Sequence, residues 1–364
     1  MDLSALELDE EVKAFLKSQT DFTIDGVSQE GGNCDIFFGD HRIFGRRIAL
    51  KVYYGSDEST SHYEAQALVA LDHPNILRVR DARRIGPYYS YFMTDEIDGG
   101  DLEKCFRNKE LDLRDKLNAI HGTLNGLTEL HKDAISIVHR DLKPKNILLY
   151  RETKQPLIAD FGSIKHFDLE LGYVTGSKTT LIYTPLEVFD GHRHSKQSDL
   201  YQVGVGLFQI LGGFFPDTYD AWLTEKERKR RDSIVDGFDR SVFIEKVIQR
   251  LVTQNKLLRL DTLPDYLDPQ IVKVISKATN ARLQTRYSTT GEFMADLMKA
   301  QVQLTNWKES DDALYADKQN GDKYRVVCGN KGYFVEKRGI LGMWRRSGDF
   351  ADSRRELCQS VNNK

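Results

Sequence analysis

The chain has 364 residues, enough for two or three domains' worth of core. It is 40% hydrophobic and 29% charged, and a formal net charge of −3 excludes a general attraction to nucleic acid or anionic membrane. No run of about 18 apolar residues is present, so no membrane span is expected. The four scattered cysteines, Cys34, Cys105, Cys328 and Cys358, form neither a C-x-x-C pair nor a disulfide framework.

The first segment, "MDLSALELDEEVKAFLKS", is acidic and amphipathic, and residues 1–21 read as a helical extension. It lacks the basic start and apolar centre of a signal peptide, which together with reduced thiols points to the cytoplasm. From Phe22 to Met93 the pattern is mostly strand-like. "DIFFG", "RRIALKVYY" and "YYSYFMTDE" are short, aromatic or β-branched, and bounded by turn residues. One helical stretch, "SHYEAQALVALDH", interrupts them and ends where proline stops it. Ahead of the strands, "SQEGGNCDIFFG" has the look of half a phosphate-binding loop, with Gly31 and Gly32 adjacent.

After "DGGDL" the pattern becomes helical. Leu113, Leu117, Ile120, Leu124, Leu127 and Leu130 recur at steps of three and four, and "DLYQVGVGLFQIL" is apolar nearly all round, as a helix buried on most sides would be. "TEKERKRRD" reads as a solvated helix face, because acidic residues interleave the basic ones. "PQIVKVISKATN" and "TTGEFMADLMKAQVQL" read as two further helices. At the end, "KYRVVCGNKGYFVEKR" reads as a hairpin, "ILGMWRR" as a third strand and "ADSRRELCQSVNN" as a closing helix. The fold class is therefore α+β: a small sheet with one helix over 22–97, a larger helical part over 98–305, and a small α+β module over 311–364.

The chemistry concentrates in "IVHRDLKPKNILL". Asp141 precedes Lys143 by two residues and Asn146 by five, between apolar stretches that fix the loop. Phosphoryl transfer uses a carboxylate to orient a hydroxyl and take its proton, a lysine to neutralise the moving phosphoryl, and an asparagine oxygen to hold magnesium. Asp160 in "IADFGSIK" adds a second carboxylate suited to magnesium. Upstream, Lys51 lies on a strand with its ammonium available for phosphate, and Glu64 lies on the helix that would supply its partner.

These elements, in this order, make the chain similar to the eukaryotic-type protein kinases over about Phe22 to Leu304, most like the eukaryotic-like serine/threonine kinases of bacteria. The resemblance implies a two-lobed kinase fold, ATP and Mg2+ as cofactors, and a protein substrate. It implies roles for further residues. Thr94 takes the gatekeeper position. Asp95 and Ile97 meet the adenine edge, Asp101 the ribose, and Ala49 and Leu148 sandwich the ring; Ile36, which follows the glycine positions, is a further nucleotide-binding candidate. Asp199 holds the catalytic loop from below, and Glu187 and Arg286 form a salt bridge anchoring the activation segment. Lys143 implies serine/threonine specificity, and Lys145 argues against an arginine-directed substrate.

The departures are local. On the family pattern Gln29, Gly31 and Cys34 take the three glycine positions, so weakened or slower nucleotide handling is expected. The segment before Glu187 reads "TPLEV", with proline displaced by one position, and the Lys51-to-Glu64 spacing is short. Arg140 beside Asp141 implies an anionic partner in the activation segment, where Thr175, Ser177, Thr179 and Thr180 are the regulatory candidates; autophosphorylation is expected at Thr175 or Ser177, and Thr180 takes the position of the substrate-facing threonine. The competing interpretation is a pseudokinase scaffold with the terminal module as its contact surface. The intact Lys51, Asp141, Asn146 and Asp160 set speaks for catalysis, and the glycine-poor loop for the scaffold. A small-molecule kinase ranks third. The module's basic and aromatic residues (Lys323, Arg325, Tyr333, Phe334, Trp344, Arg345, Arg346) are the one place where nucleic acid or a partner is admitted.

Overall fold

The computed structural model describes all residues except 1–5, 32–33, 55–68, 70, 168, 176–179, 303, 330–331 and 339–341, and the side chains of residues 30 and 31. It divides into two compact units. Unit 1 is Met1–Asp98 with Leu157–Ala159, and unit 2 is Gly99–Pro156 with Asp160–Lys364. No helix among the described residues is long and apolar enough to cross a membrane. All four cysteines are free thiols.

Unit 1 is a five-stranded antiparallel sheet in the order β1-β2-β3-β5-β4. Its strands are β1 (Phe22–Gly31), β2 (Cys34–His41), β3 (Arg46–Tyr54), β4 (Val79–Ile85) and β5 (Tyr89–Asp95). Residues alternate between its faces, as a pleated strand requires. Phe37, Ile48, Leu50, Val52, Tyr91 and Met93 are buried on one face. That face is covered by helix α1 (Glu10–Ser18), whose Val12 and Leu16 complete the same core with Leu8. Polar pairs also enter this core: the Tyr54 hydroxyl donates to the buried Asp35 carboxylate, and the hydroxyl of the buried Tyr91 donates to Asp81 at 2.6 Å. The other face carries Ile36, Phe38, Ala49 and Lys51, all half-buried. Of the stretches read as strands from sequence, all three form. Of the helix expected over "SHYEAQALVALDH", residues 61–68 and 70 lie outside the described residues, and Leu71, Asp72 and His73, where it was expected to end, are not helical.

Unit 2 begins with helices α2 (Leu102–Arg107) and α3 (Leu113–Leu130). A capping box closes the start of α3, with Asp112 and Asp115 each accepting the other's backbone N–H. All six of the periodic Leu and Ile positions of α3 are buried. Helix α4 is Leu186–Gly191, and α5 is Lys196–Ile210, buried without interruption from Ser198 to Ile210. Gly204 is required there, since a Cβ would come within 2.7 Å of the Ala278 Cβ on the neighbouring helix. Helix α6 (Glu225–Asp232) buries nothing, as its charge pattern predicts. Helices α7 (Gly237–Thr253), α8 (Pro269–Ala278) and α9 (Thr290–Gln301) complete the helical part.

The C-terminal module is larger than three strands. It is a five-stranded antiparallel meander of β6 (Asn306–Glu309), β7 (Leu314–Asp317), β8 (Lys323–Gly329), β9 (Gly332–Arg338) and β10 (Arg345–Ala351), closed by helix α10 (Arg354–Asn363). The sheet starts at Asn306, ahead of the residue-311 boundary expected from sequence. It is joined to the helical part within unit 2. The Asn306 side chain accepts from Arg114 N at 2.9 Å and donates to Asp112 at 2.7 Å. Trp307 is buried, stacks on Tyr266 with ring centroids 5.6 Å apart, and donates to Asn362.

Candidate active site

The loop between α3 and the short strand Ile147–Leu149 carries Asp141, Lys143 and Asn146 in one closed network. Lys143 Nζ donates to Asp141 Oδ2 at 2.9 Å. Asn146 Nδ2 donates to the Asp141 carbonyl at 2.7 Å and to its Oδ2 at 3.1 Å. The Thr180 hydroxyl accepts from Lys143 Nζ at 2.9 Å and donates to Asp141 Oδ1 at 3.2 Å. Thr180, expected among regulatory residues, is thus hydrogen-bonded into the network around Asp141. Asp141 and Lys143 are half-buried and Asn146 is buried.

Beneath the loop, the fully buried Asp199 on α5 accepts from the backbone N–H groups of His139 and Arg140, both at 2.9 Å, and binds His131 Nε2 at 2.8 Å. Burial opposes its charge, but His131 and the loop N–H groups hold its pKa below the usual carboxylate value. One helical turn on, the buried Gln202 accepts from Leu142 N at 2.9 Å and donates to the Arg140 carbonyl at 2.7 Å. Gln202 was not singled out from sequence. Its signal was available: a glutamine three residues after Asp199, in the stretch that is apolar nearly all round.

The Glu187–Arg286 bridge forms as the resemblance implies. Arg286 Nη1 and Nη2 reach the two Glu187 oxygens at 2.9 and 3.2 Å. The Arg286 side chain is fully enclosed and is also satisfied by the carbonyls of Asn280, Gln197 and Ala281. Ser198 adds a donor to Glu187 at 2.8 Å. The displaced Pro185 sits immediately before α4, and its carbonyl accepts from Val188 N. The shift is absorbed without moving Glu187 off its partner.

Other candidates are dispersed. Asp160 stands in the left-handed region at φ 58°, just before the one-turn helix Phe161–Ser163. Arg140 is also left-handed at φ 71°, and its buried Nε donates to the Ser163 carbonyl. The Asp101 carboxylate caps α2 by accepting from Lys104 N at 2.8 Å, and its backbone bridges Leu148. Thr175 is exposed on the short strand Val174–Thr175, paired with Arg193–His194. In unit 1, register places Ile36 opposite Lys51, and Ala49 opposite Thr94, on one sheet face. Lys51 Nζ lies 4.9 Å from the Tyr53 ring centroid. Asp95 on β5 is held by Arg80 at 2.6 Å, and Ile97 follows it, half-buried. Gly31 ends β1 opposite Cys34. Gly32, Glu64, Ser177 and Thr179 lie outside the described residues.

The donor set suits magnesium, whose ligands are hard oxygens supplied by one or two carboxylates and by substrate phosphates. Asn146 commits its amide N–H group to Asp141, which leaves Oδ1 as the atom that could coordinate, and Asp160 could offer a carboxylate. Among the described residues no group of three or more His, Cys, Asp or Glu side chains forms a separate metal site.

The protein kinase domain model matches residues 30–300. The chain is 28% identical over 202 residues to serine/threonine-protein kinase PrkC of Bacillus subtilis (strain 168), covering 51% of this chain and 29% of that protein. It is 31% identical over 180 residues to ribosomal protein S6 kinase 2 alpha of Gallus gallus, covering 48% and 24% respectively. It is 32% identical over 197 residues to calcium-dependent protein kinase 4 of Plasmodium berghei (strain Anka), covering 51% and 36%. These alignments span about a quarter to a third of the relatives' length. With the domain match covering most of its length and the Asp141 loop built as described, the chain belongs to the protein kinase family.

Proposed function

We propose that this chain is an active serine/threonine kinase that transfers the γ-phosphoryl group of ATP to hydroxyls of a protein substrate. The observation that carries this reading is the network joining Asp141, Lys143, Asn146 and Thr180. Asp141 is the acceptor for the substrate hydroxyl proton, held in place by Asn146 and Thr180. Lys143 brings a positive charge beside that carboxylate, where the transferring phosphoryl needs it. Asn146 and Asp160 are the residues to hold magnesium, which when bound neutralises phosphate charge. In unit 1, the face carrying Ile36, Ala49 and Lys51 is assigned to the nucleotide. Substrate hydroxyls of serine and threonine are favoured because the resemblance implies that specificity from Lys143, which here also donates to Thr180 at 2.9 Å.

Regulation by autophosphorylation at Thr175 or Ser177 belongs to the same proposal. Its support is the exposure of Thr175 and the buried guanidinium of Arg140 beside Asp141. Mass spectrometry of active protein is expected to find phosphate between Asp160 and Glu187, and its absence there removes this part.

The activity is tested with labelled ATP, magnesium and generic protein substrates, using wild type beside Asp141→Asn and Lys51→Met. Label is expected in phosphoserine and phosphothreonine from wild type alone. Equal inertness of all three would overturn the reading in favour of a non-catalytic scaffold.

A further inference from the structure

The C-terminal sheet has one covered face and one open face. Trp307, Leu314, Ala316, Tyr324, Val326 and Val335 are buried on the covered side, and helix α10 packs on β8, β9 and β10. The alternate residues form the opposite face. Cross-strand register sets Lys308 opposite Tyr315, Tyr315 opposite Arg325, Arg325 opposite Glu336 and Glu336 opposite Arg346. A second row runs from Asp317 through Lys323 to Arg338, and in a third Phe334 lies between Val327 and Phe350. Trp344 lies across the first two rows. The guanidinium groups of Arg325 and Arg338 are 4.8 and 4.9 Å from its ring centroid, and Tyr315 meets it edge-on at 5.9 Å. Trp344, Tyr315, Lys308, Lys323 and Arg338, with Asn306 and the carboxylates of Asp112 and Asp317, line a cavity of about 360 Å³.

The cations on this face outnumber the carboxylates that answer them. Lys323 pairs with Asp317 at 3.3 Å and Arg325 with Glu336 at 2.6 Å. Among the described residues Lys308, Arg338 and Arg346 on this face make no ion pair. Residues 305–364 hold twelve lysines and arginines against nine acidic residues, in a chain whose overall charge is negative.

We propose that this open face binds a single-stranded nucleic acid. Surplus cations set among aromatic rings on an antiparallel sheet match its two chemistries, phosphates that seek positive charge and base faces that stack. An acidic peptide would use the cations but leave the rings idle, including Phe350, which is 57% exposed. A duplex keeps its base faces stacked internally and offers only its backbone and groove edges. The chain's net negative charge argues against a merely electrostatic attraction, so the local arrangement has to supply the affinity.

The test uses the full chain and fluorescence anisotropy. The labelled ligands are single strands of about 12 nucleotides, as RNA and as DNA, within the length such platforms cover. A duplex of the same length and an acidic peptide of equal charge complete the set. At least one single strand is expected to bind tenfold or more tightly than duplex and peptide, and to weaken as salt rises. Trp344→Ala is expected to weaken binding about tenfold with the salt slope unchanged. Lys308→Ala combined with Arg346→Ala is expected to flatten that slope. Phe350→Ser, at an exposed ring, serves as the stacking variant if circular dichroism shows that Trp344→Ala unfolds the module. No binding, equal binding of duplex or peptide, or indifference to the ring and cation substitutions overturns the proposal.

Discussion

Asp199 and Gln202 together hold four backbone groups of the Asp141 loop, the N–H groups of residues 139, 140 and 142 and the carbonyl of residue 140. A loop cannot satisfy these groups itself once buried, so side chains from α5 must. Nearby, His194 has no comparable support. It is wholly buried opposite Val174, and neither ring nitrogen has a hydrogen-bond partner among the described residues. Burial pushes its pKa down to about 4; Asp199, Glu187 and Asp141 pull it up and Arg140 pushes it down further. The unfolded chain, with an ordinary histidine near 6.5, therefore binds the extra proton between those values. Stability from this group is full above about pH 6.5 and is lost as pH falls toward 4. Urea titrations of wild type and His194→Phe at pH 7 and pH 5 are expected to show wild type losing about 2 kcal/mol more than the variant. Equal losses would remove His194 as the cause. At this scale Asp141, Lys143 and Asn146 were legible as one cluster because the motif fixes both type and spacing. His194 and Gln202 were not, because an isolated histidine or glutamine declares its role only through what surrounds it.

Among the elements, α1 shows how far a pattern reaches. Its amphipathic sequence announces a buried stripe, and Val12 and Leu16 fulfil it. The surface it covers, the face of the unit 1 sheet opposite Ala49 and Lys51, could not be read from that stripe. Leu16 is 3% exposed within this core, so Leu16→Ala is expected to destabilise unit 1 by about 3 kcal/mol. Denaturant unfolding followed by hydrogen exchange in β2 and β3 measures this, and a loss below about 1 kcal/mol would mean α1 only rests on the sheet. Strand β4, "VRDARRI", was missed because its composition is polar and only its ladder to β5 makes it a strand. The same holds for β6 and β7, four residues each, whose hydrogen bonds come from β8 and from each other. Strand formation depends on a partner far along the chain, whereas a helix such as α3 satisfies its own backbone.

On the scale of the whole molecule, the terminal module is integrated into unit 2. Lys109 pairs with Asp311 at 2.6 Å, Asn306 joins the capping box of α3, and Trp307 fills the space between Tyr266 and Asn362. The exposed ion pair adds little, and the buried indole carries the junction. Trp307→Ala is expected to cost about 3 to 5 kcal/mol and to open residues 305–364 to limited trypsin digestion before the rest of unit 2. Simultaneous digestion of both parts would show the module is not a separately yielding piece. By itself the sequence determined the family, the spacing of Asp141, Lys143 and Asn146 in one loop, and the helical periodicity, because these depend on residue type at short spacing. Only the tertiary structure decided which side chains pin the loop, that Thr180 closes the Asp141 network, which sheet face α1 covers and which face of the module stays open. Those outcomes rest on hydrogen bonds and packing between residues dozens to hundreds of positions apart, whose pairing no local pattern encodes.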